Sequence, residues 1–157
     1  LEAETPILVE EYGFTLDSEG AGKFRGGMGQ TRTYRYLMDD TLVQMRADRK
    51  KFQPYGVNGG HSPRATKITL NPKSENKDMP PKFLIDVQKG DVVKIQWPGA
   101  GGNGNPLDRS PDMVLQDVIA EKVSIDRAKD TYGVVIDLTS RTVDSGATET
   151  LRAKMVK

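Results

Sequence analysis

The sequence has 157 residues, the length of one ordinary domain, and 36% of them are hydrophobic. This is a low share for a globular chain, and it indicates that part of the stabilising surface belongs to a partner. The 23 basic and 22 acidic residues leave a net charge of +1, without a charged block that would favour nucleic acid or a membrane surface. The absence of cysteine excludes a disulfide scaffold, thiolate-bound zinc and a cysteine nucleophile.

The sequence also bears on where the protein works. No apolar run approaches the length of a bilayer span, and the N-terminus has no signal-peptide pattern, so we expect a soluble, cytoplasmic protein.

The first two thirds of the chain predict β-strands, because β-branched and aromatic residues are frequent there and residues 41–49 alternate with a period of two. Residues 83–97 predict two strands joined as a hairpin at Lys89-Gly90-Asp91. Turn-rich loops are predicted at 53–63 and 71–81. The further strand candidates are 6–16, 31–37 and 66–70.

After Pro106 the pattern becomes helical. Ser110-Pro111-Asp112 predicts a helix start with a capping hydroxyl, and a second helix is expected between Ser124 and Gly133. Residues 134–138 predict a strand or an extended arm. A last helix is expected through Lys157, capped by Asp144 or Ser145.

The predicted fold is mainly β with a small α-helical C-terminal tail. Its body is a β-sheet or barrel-like unit with glycine-rich segments near polyproline II geometry. We predict a glycine-rich β domain at 1–108 and a helical tail at 109–157.

Two glycine runs resemble phosphate cradles but do not match the known templates. In the first, GAGKFRGGMG, Lys23 is followed by Phe24 instead of the hydroxyl residue that a Walker A loop needs for phosphate and magnesium. In the second, Gly99, Gly101 and Gly104 form a GxGxxG pattern, but no helix opens there to direct its N-terminus at a pyrophosphate. A nucleotide-binding role is therefore not predicted.

The architectural alternative is that glycines permit positive φ, bulges and close backbone approach. One run would be ordinary, but three runs, at 20–29, 56–60 and 99–104, favour glycine-dense and hydrogen-bond-poor segments packed side by side. The predicted structural glycines are Gly20, Gly22, Gly26, Gly27, Gly59, Gly60, Gly99, Gly101, Gly102 and Gly104.

Read together, these runs carry a family resemblance. Eight short motifs keep their order over roughly nine tenths of the chain. With them the sequence resembles the C-terminal part of the hydantoinase B/oxoprolinase family. The motifs are Asp17-Ser18-x-Gly20-Ala21-Gly22, Arg25-Gly26-Gly27, Asp48-Arg49, Tyr55-Gly56, Gly59-Gly60, Gly90-Asp91, the run after Pro98, and Asp130-x-Tyr132-Gly133.

The resemblance implies a function inside a complex. Members of the family act with an ATP-using hydantoinase A-type partner. Some of them open the rings of cyclic amides, and others add a carboxyl group to ketones. The resemblance thus implies a small, mainly structural subunit of an ATP-dependent ketone carboxylase of the acetophenone or acetone carboxylase type, contributing at most part of the active-site wall. The alternatives are a subunit of a cyclic amidohydrolase of the hydantoinase or 5-oxoprolinase type, or a stand-alone β-rich binding module.

The chain is several times shorter than a B-type subunit of the family, and the region expected to hold the family's metal-binding His and Asp residues is missing. The resemblance implies a larger B-type subunit as a second partner, with this chain as a natural small subunit or a fragment. The catalytic residues are unknown and are expected outside this chain. ATP with magnesium, and a zinc or manganese site, would lie elsewhere in the complex, with no cofactor bound by this chain alone.

Four side chains are candidates for contact with a substrate or a phosphate. Arg25 and Arg49 can hold an anion with a guanidinium fork, although Arg49 can equally pair with Asp48 or with loop carbonyls. His61, the single histidine, lacks neighbouring carboxylates in sequence, so a metal site is not predicted. The candidates are thus Arg25, Asp48, Arg49 and His61.

Overall fold

The computed structural model describes residues 2–156, and these residues divide into two compact units. Unit 1 contains the described residues 2–15, 29–53 and 65–98, and unit 2 contains 16–28, 54–64 and 99–156. Each unit is therefore discontinuous in sequence. The predicted division into 1–108 and 109–157 stays a prediction, and the compact units group the chain differently.

Unit 1 consists of two antiparallel sheets. The larger sheet has the strand order β1-β2-β7-β4-β5, and the smaller one pairs β3 with β6. The strands are β1 (Ile7–Phe14), β2 (Gln30–Tyr36), β3 (Thr41–Arg46), β4 (Lys67–Leu70), β5 (Lys77–Asp78), β6 (Lys82–Val87) and β7 (Val92–Gln96).

The core of unit 1 lies between inward-facing side chains of both sheets. Ile68, Val93 and Ile95 come from the larger sheet, and Val43 and Val87 come from the smaller one. These positions alternate with exposed residues along β3 and β6, as the period of two predicts for strands that are covered on one face. The predicted strands of the β-rich body are thus confirmed.

The predicted hairpin at Lys89-Gly90-Asp91 is wrong in its pairing. A turn is present, because the Asp91 amide donates to the Gln88 carbonyl at 3.0 Å and Gly90 has a φ of 97°. However, β6 pairs with β3, while β7 pairs with β2 and β4. The turn carries the chain from one sheet to the other. Its local sequence determines the turn but not the partner strands.

Unit 2 contains the helices and a short hairpin. Its elements are a 3-10 helix (Pro106–Asp108), α1 (Pro111–Ile119), α2 (Ile125–Asp130), β8 (Ile136–Asp137), β9 (Thr142–Val143) and α3 (Ser145–Met155). Its apolar core gathers Val114, Val123, Ala128, Tyr132 and Val134 around Ala21. The mainly β fold with a helical C-terminal tail is confirmed.

The helix starts agree with the sequence with one exception. At the other end, α3 stops at Met155, and the predicted end at Lys157 lies outside the described residues. Ser124 caps α2 by accepting from the Arg127 amide, and Asp144, one of the two predicted alternatives, caps α3 by accepting from the Ala147 amide. Ser110 occupies the N-cap position of α1, but its hydroxyl makes no capping hydrogen bond. Across residues 2–156, no helix is long and apolar enough to cross a membrane.

Candidate functional site

The three glycine runs, apart from Gly29, lie side by side in unit 2. We call them, with their flanking residues 16–28, 54–64 and 99–104, the glycine core. Backbone hydrogen bonds join them: the Gly20 amide donates to the Ala100 carbonyl at 2.9 Å, and the His61 amide donates to the Ala21 carbonyl at 2.7 Å. The Val57 amide donates to the Gly102 carbonyl at 2.9 Å. The expectation of hydrogen-bond-poor segments is therefore wrong, since the runs satisfy one another's backbone groups.

Glycine is required at Gly26 and Gly101 because no space exists for a side chain. A Cβ added to Gly26 would lie 1.9 Å from the Ala100 carbonyl oxygen, and one added to Gly101 would lie 2.0 Å from the Tyr55 carbonyl oxygen. Both neighbours are backbone atoms, so a rotamer change cannot relieve the overlap. Five more of the predicted glycines are similarly crowded, namely Gly20, Gly22, Gly60, Gly99 and Gly102.

The other three predicted structural glycines differ. Gly59 and Gly104 have φ values of 86° and 78°, so backbone conformation is the constraint at these two positions. At Gly27 an added Cβ meets nothing within 4 Å. By contrast, Gly56 is crowded, with an added Cβ 2.1 Å from the Gly60 carbonyl oxygen, and it was absent from the predicted set.

A buried charge cluster fastens the glycine core to α1. Arg25 donates through Nε and Nη2 to the two carboxylate oxygens of Asp117, each at 2.9 Å, and through Nη1 to the Gly26 carbonyl. Arg109 donates to Asp117 Oδ2 at 2.8 Å and to the Lys23 carbonyl at 3.1 Å. The Asp117 and Arg109 side chains are only 7% and 6% exposed. The hydrogen bonds to Asp117 raise the pKa of Arg25.

A second buried cluster fastens the same core to α2. Arg127 Nε and the Tyr132 hydroxyl donate to Glu19 Oε1 at 2.7 Å and 3.0 Å, and Arg127 Nη2 also donates to the Glu19 carbonyl. Burial, and then the neighbouring Glu19 carboxylate, raise the pKa of Tyr132. Asp17 completes the attachment by accepting from the Ser124 amide at 2.7 Å.

The four predicted contact residues are divided between the two units. Arg25 and His61 belong to unit 2, whereas Asp48 and Arg49 belong to unit 1. The guanidinium of Arg25 is held by Asp117 and Gly26, and the His61 side chain is exposed while its backbone is bonded within the glycine core.

Asp48 and Arg49 lie in an exposed loop of unit 1. The Asp48 carbonyl accepts from the Thr66 hydroxyl, and the Arg49 carbonyl accepts from the Thr66 amide. Both residues line an open surface cleft that also contains Lys50 and Phe52. Within residues 2–156, Arg49 and Asp48 make no ion pair with each other, so the roles predicted for their side chains stay predictions.

Sequence reasoning did not single out the buried carboxylates. Asp117 has a detectable signal, because it lies on the same face of α1 as Val114 and Val118, the apolar residues that pack in the core. An acid on an apolar helix face indicates a buried ion pair. Glu19 has no comparable signal, since it lies in a loop and its partners, Arg127 and Tyr132, are more than 100 residues away in sequence.

The arrangement in unit 2 is suited to holding backbone segments in place. Its guanidinium groups, of which Arg109 is buried and Arg25 and Arg127 are partly buried, donate both to carboxylates and to loop carbonyls, and this combination fixes local geometry. Among residues 2–156, no group of three or more His, Cys, Asp or Glu side chains could hold a metal ion. The hydrogen bonds between the runs, and those from Arg25, Arg109 and Arg127, make the site a scaffold of interlocked glycine segments.

Comparison with known proteins identifies the class of this scaffold. The family model described as Hydantoinase B/oxoprolinase matches residues 1–106. Because this is more than half of the chain, the chain belongs to the hydantoinase B/oxoprolinase family, and the resemblance found in the sequence is confirmed.

Three relatives illustrate the similarity. An uncharacterized protein of Methanocaldococcus jannaschii is 38% identical over 136 residues, which are 87% of this chain and 24% of that protein. Caprolactamase subunit beta of Pseudomonas jessenii is 34% identical over 163 residues, with 98% of this chain and 27% of that protein covered. The acetophenone carboxylase delta subunit of Aromatoleum aromaticum is 28% identical over 185 residues, with the same two coverages, 98% and 27%.

A solved structure supports the fold. The crystal structure of ATP-dependent caprolactamase from Pseudomonas jessenii matches 98% of this chain and 27% of its own chain, with a TM-score of 0.82 and 31% sequence identity. The chain spans about a quarter of the length of these relatives.

Proposed function

We propose that this chain is a scaffold component of an ATP-dependent enzyme complex that opens cyclic amides. The observation that carries the proposal is the similarity to caprolactamase subunit beta, which covers 98% of the chain at 34% identity and so includes both units. The chain would work in the cytoplasm beside a hydantoinase A-type ATPase subunit and a larger hydantoinase B-type subunit.

The contribution of this chain to such a complex would be structural. The glycine core is fastened at the buried carboxylates of Asp117 and Glu19, and the arginines that fasten it are already paired. Catalytic groups, ATP with magnesium and a zinc or manganese site would be supplied by the partners. Of the four candidate contact residues, Arg49, which lines an exposed cleft, would contribute to an active-site wall.

A ketone carboxylase complex is the second candidate function, and the sequence interpretation placed it first. It is supported by the acetophenone carboxylase delta subunit, whose identity of 28% is lower than the 34% of caprolactamase subunit beta. This difference is the reason for placing ring opening ahead of carboxylation.

Native mass spectrometry of the untagged protein from its source tests the assembly, followed by assays of phosphate release from ATP. We expect a complex with an A-type ATPase polypeptide, and phosphate release stimulated by a lactam, a hydantoin or 5-oxoproline. Stimulation by acetone or acetophenone with bicarbonate instead would establish the second candidate. A chain that is recovered alone, without an ATPase polypeptide, would support a stand-alone binding module and refute both.

A further inference from the structure

The edge strand β1 presents aromatic side chains on the side of the sheet that forms the core. Ile7 pairs with Tyr36, and Tyr12 pairs with Arg32, in the antiparallel register of β1 and β2. Directly paired residues project from the same side of a sheet, and alternate residues of one strand share a side. Ile7, Tyr12 and Phe14 therefore project from the same side, on which Ile7 and Tyr36 are buried.

A β-bulge produces this arrangement. The register shifts between Val9 and Glu11, so the side-chain alternation changes phase at this point of the strand. Without the bulge, Glu11 would project from the core side. With it, Glu11 lies on the opposite side, bonded to Lys94 and Thr33, and Tyr12 takes the core side. A bulge of this kind redirects side chains.

The redirected aromatic side chains are nevertheless uncovered. Tyr12 is 64% exposed and Phe14 is 66% exposed, although they extend the face that holds the core. Both residues lie on an edge strand, whose free backbone groups can accept a further strand. The sheet thus has an apolar end for which unit 1 supplies no cover among its described residues.

Arg32 lies within this uncovered end. Its guanidinium is 4.7 Å from the centroid of the Tyr12 ring and 5.5 Å from that of Trp97, so it is stacked between two aromatic rings. Its Nε is shielded from solvent and has no hydrogen-bond partner among the described residues. No carboxylate among residues 2–156 forms an ion pair with Arg32. Hydrogen bonds of the guanidinium with Tyr34 and Tyr12 raise the pKa of Arg32, and a planar guanidinium with five N–H donors can pair with a carboxylate in addition.

We propose that the surface formed by Tyr12, Phe14, Arg32 and Trp97, the β1 aromatic surface, docks a segment of a hydantoinase B-type subunit. The segment carries apolar side chains that cover the rings and one Asp or Glu that pairs with Arg32. This inference rests on the proposed function, which supplies the B-type polypeptide. The matched region is 27% of caprolactamase subunit beta, so most of that relative lies outside the region and is available to pack against it.

The first test measures recovery of the B-type polypeptide, identified by mass spectrometry, with a tagged copy of this chain. We expect Phe14→Ser and Arg32→Glu to lower recovery about tenfold or more, as for central interface residues. Arg32→Lys retains the charge and is expected to keep part of the recovery. The matched control is Leu42→Ser on β3, since Leu42 is 61% exposed and lies outside the surface; its recovery should stay at the unsubstituted level.

A second measurement does not depend on how the substitutions affect folding. A photo-crosslinking phenylalanine analogue at position 14 should crosslink to the B-type polypeptide, and the same analogue at position 42 should not. Crosslinks from position 14 to a second copy of this chain, or equal crosslinking from both positions, would overturn the docking surface. So would unchanged recovery with Phe14→Ser and Arg32→Glu.

The two proposals fail differently. If the unsubstituted chain recovers no B-type polypeptide, the proposed function is refuted together with the docking surface. If the unsubstituted chain recovers it and the surface variants recover it equally well, only the docking surface is refuted.

Discussion

The two units of this chain are stabilised in different ways. Unit 1 is held by strand pairing and by an apolar core that includes Ile68, Val87 and Val93, each at most 1% exposed. Unit 2 has an apolar core as well, but its loops are held by glycine backbones in direct contact and by two buried carboxylates, Glu19 and Asp117.

This difference changes what a single substitution does. A side chain in an apolar core can be shortened at a cost that grows with the cavity left behind. At the crowded glycines of the glycine core the contacts are between backbones, so even one added methyl group has no place there. In the charge clusters, loss of one partner leaves the other charged and desolvated. We therefore expect unit 2 to tolerate substitution less well than unit 1.

The largest loss of stability is expected from a substitution at Asp117. Replacement by Ala leaves Arg109, whose side chain is 6% exposed, without its carboxylate, and breaking a buried pair in this way costs about 3–5 kcal/mol. Hydrogen exchange of unit 2 amides in the purified native assembly measures the loss. The control is Asp112→Ala, an exposed acid in the first turn of the same helix, for which a loss of about 1 kcal/mol or less is expected. Equal losses for the two variants would refute the buried-pair account.

The next largest loss of stability is expected from a substitution at Gly26. Gly26→Ala adds one Cβ at 1.9 Å from a carbonyl oxygen, and backbone movement to relieve this overlap is expected to cost about 1–3 kcal/mol. Gly27→Ala is the neighbouring control, because its Cβ meets nothing within 4 Å, and it should be neutral or slightly stabilising. The same exchange measurement distinguishes them, and a neutral Gly26→Ala would disprove close backbone packing.

These positions also show how far the sequence could predict the structure. Most strands of unit 1 follow from alternation at 41–49 or from frequent β-branched and aromatic residues, although β5 lies within the predicted loop 71–81. The starts of α2 and α3 follow from the capping residues Ser124 and Asp144. The pairing of β6 with β3 does not follow, because a turn sequence carries no information about which distant strand each arm meets. The family resemblance added the function class, which no local pattern contains.

The candidate site was less predictable for the same reason. Clustering of glycines indicated close packing, but not which runs meet, since Gly26 contacts residue Ala100 and Gly101 contacts Tyr55. Glu19 looked like an ordinary loop acid, because its partners lie on α2 and just beyond it. Long-range ion pairs leave no local trace unless, as at Asp117, the acid interrupts an apolar face.

A smaller effect is expected for a core substitution in unit 1. Ile68→Val removes one methylene from a side chain that is 0% exposed, and the expected loss is about 0.5–1.5 kcal/mol. Hydrogen exchange should place this loss in the strands of unit 1. Leu84→Ala, at a side chain that is 58% exposed, serves as the control and should change stability by less than about 0.5 kcal/mol. A larger loss from Ile68→Val than from Gly26→Ala would reverse the comparison between the units.

The smallest effect on stability at neutral pH is expected from ionisation of the Tyr132 hydroxyl. Its pKa is raised by burial and by Glu19, so its contribution to stability is complete below the ordinary tyrosine pKa of about 10 and is lost as the pH rises above that value. The protection of unit 2 amides, measured relative to their base-catalysed intrinsic exchange rate, should fall above about pH 10, and Tyr132→Phe should weaken this fall. If the pH dependence is the same in both proteins, Tyr132 is not the group responsible.

The most direct test of the account asks whether the glycine core is architecture or a nucleotide cradle. The measurement combines size-exclusion chromatography with ATP binding on complexes that contain Gly101→Val or, as the control, Gly27→Val. We expect Gly101→Val to reduce assembly, because its side chain would overlap the Tyr55 carbonyl, and Gly27→Val to assemble more completely. Any Gly101→Val complex that does form should bind ATP normally. A complex of normal size and yield that has selectively lost ATP binding would contradict the account.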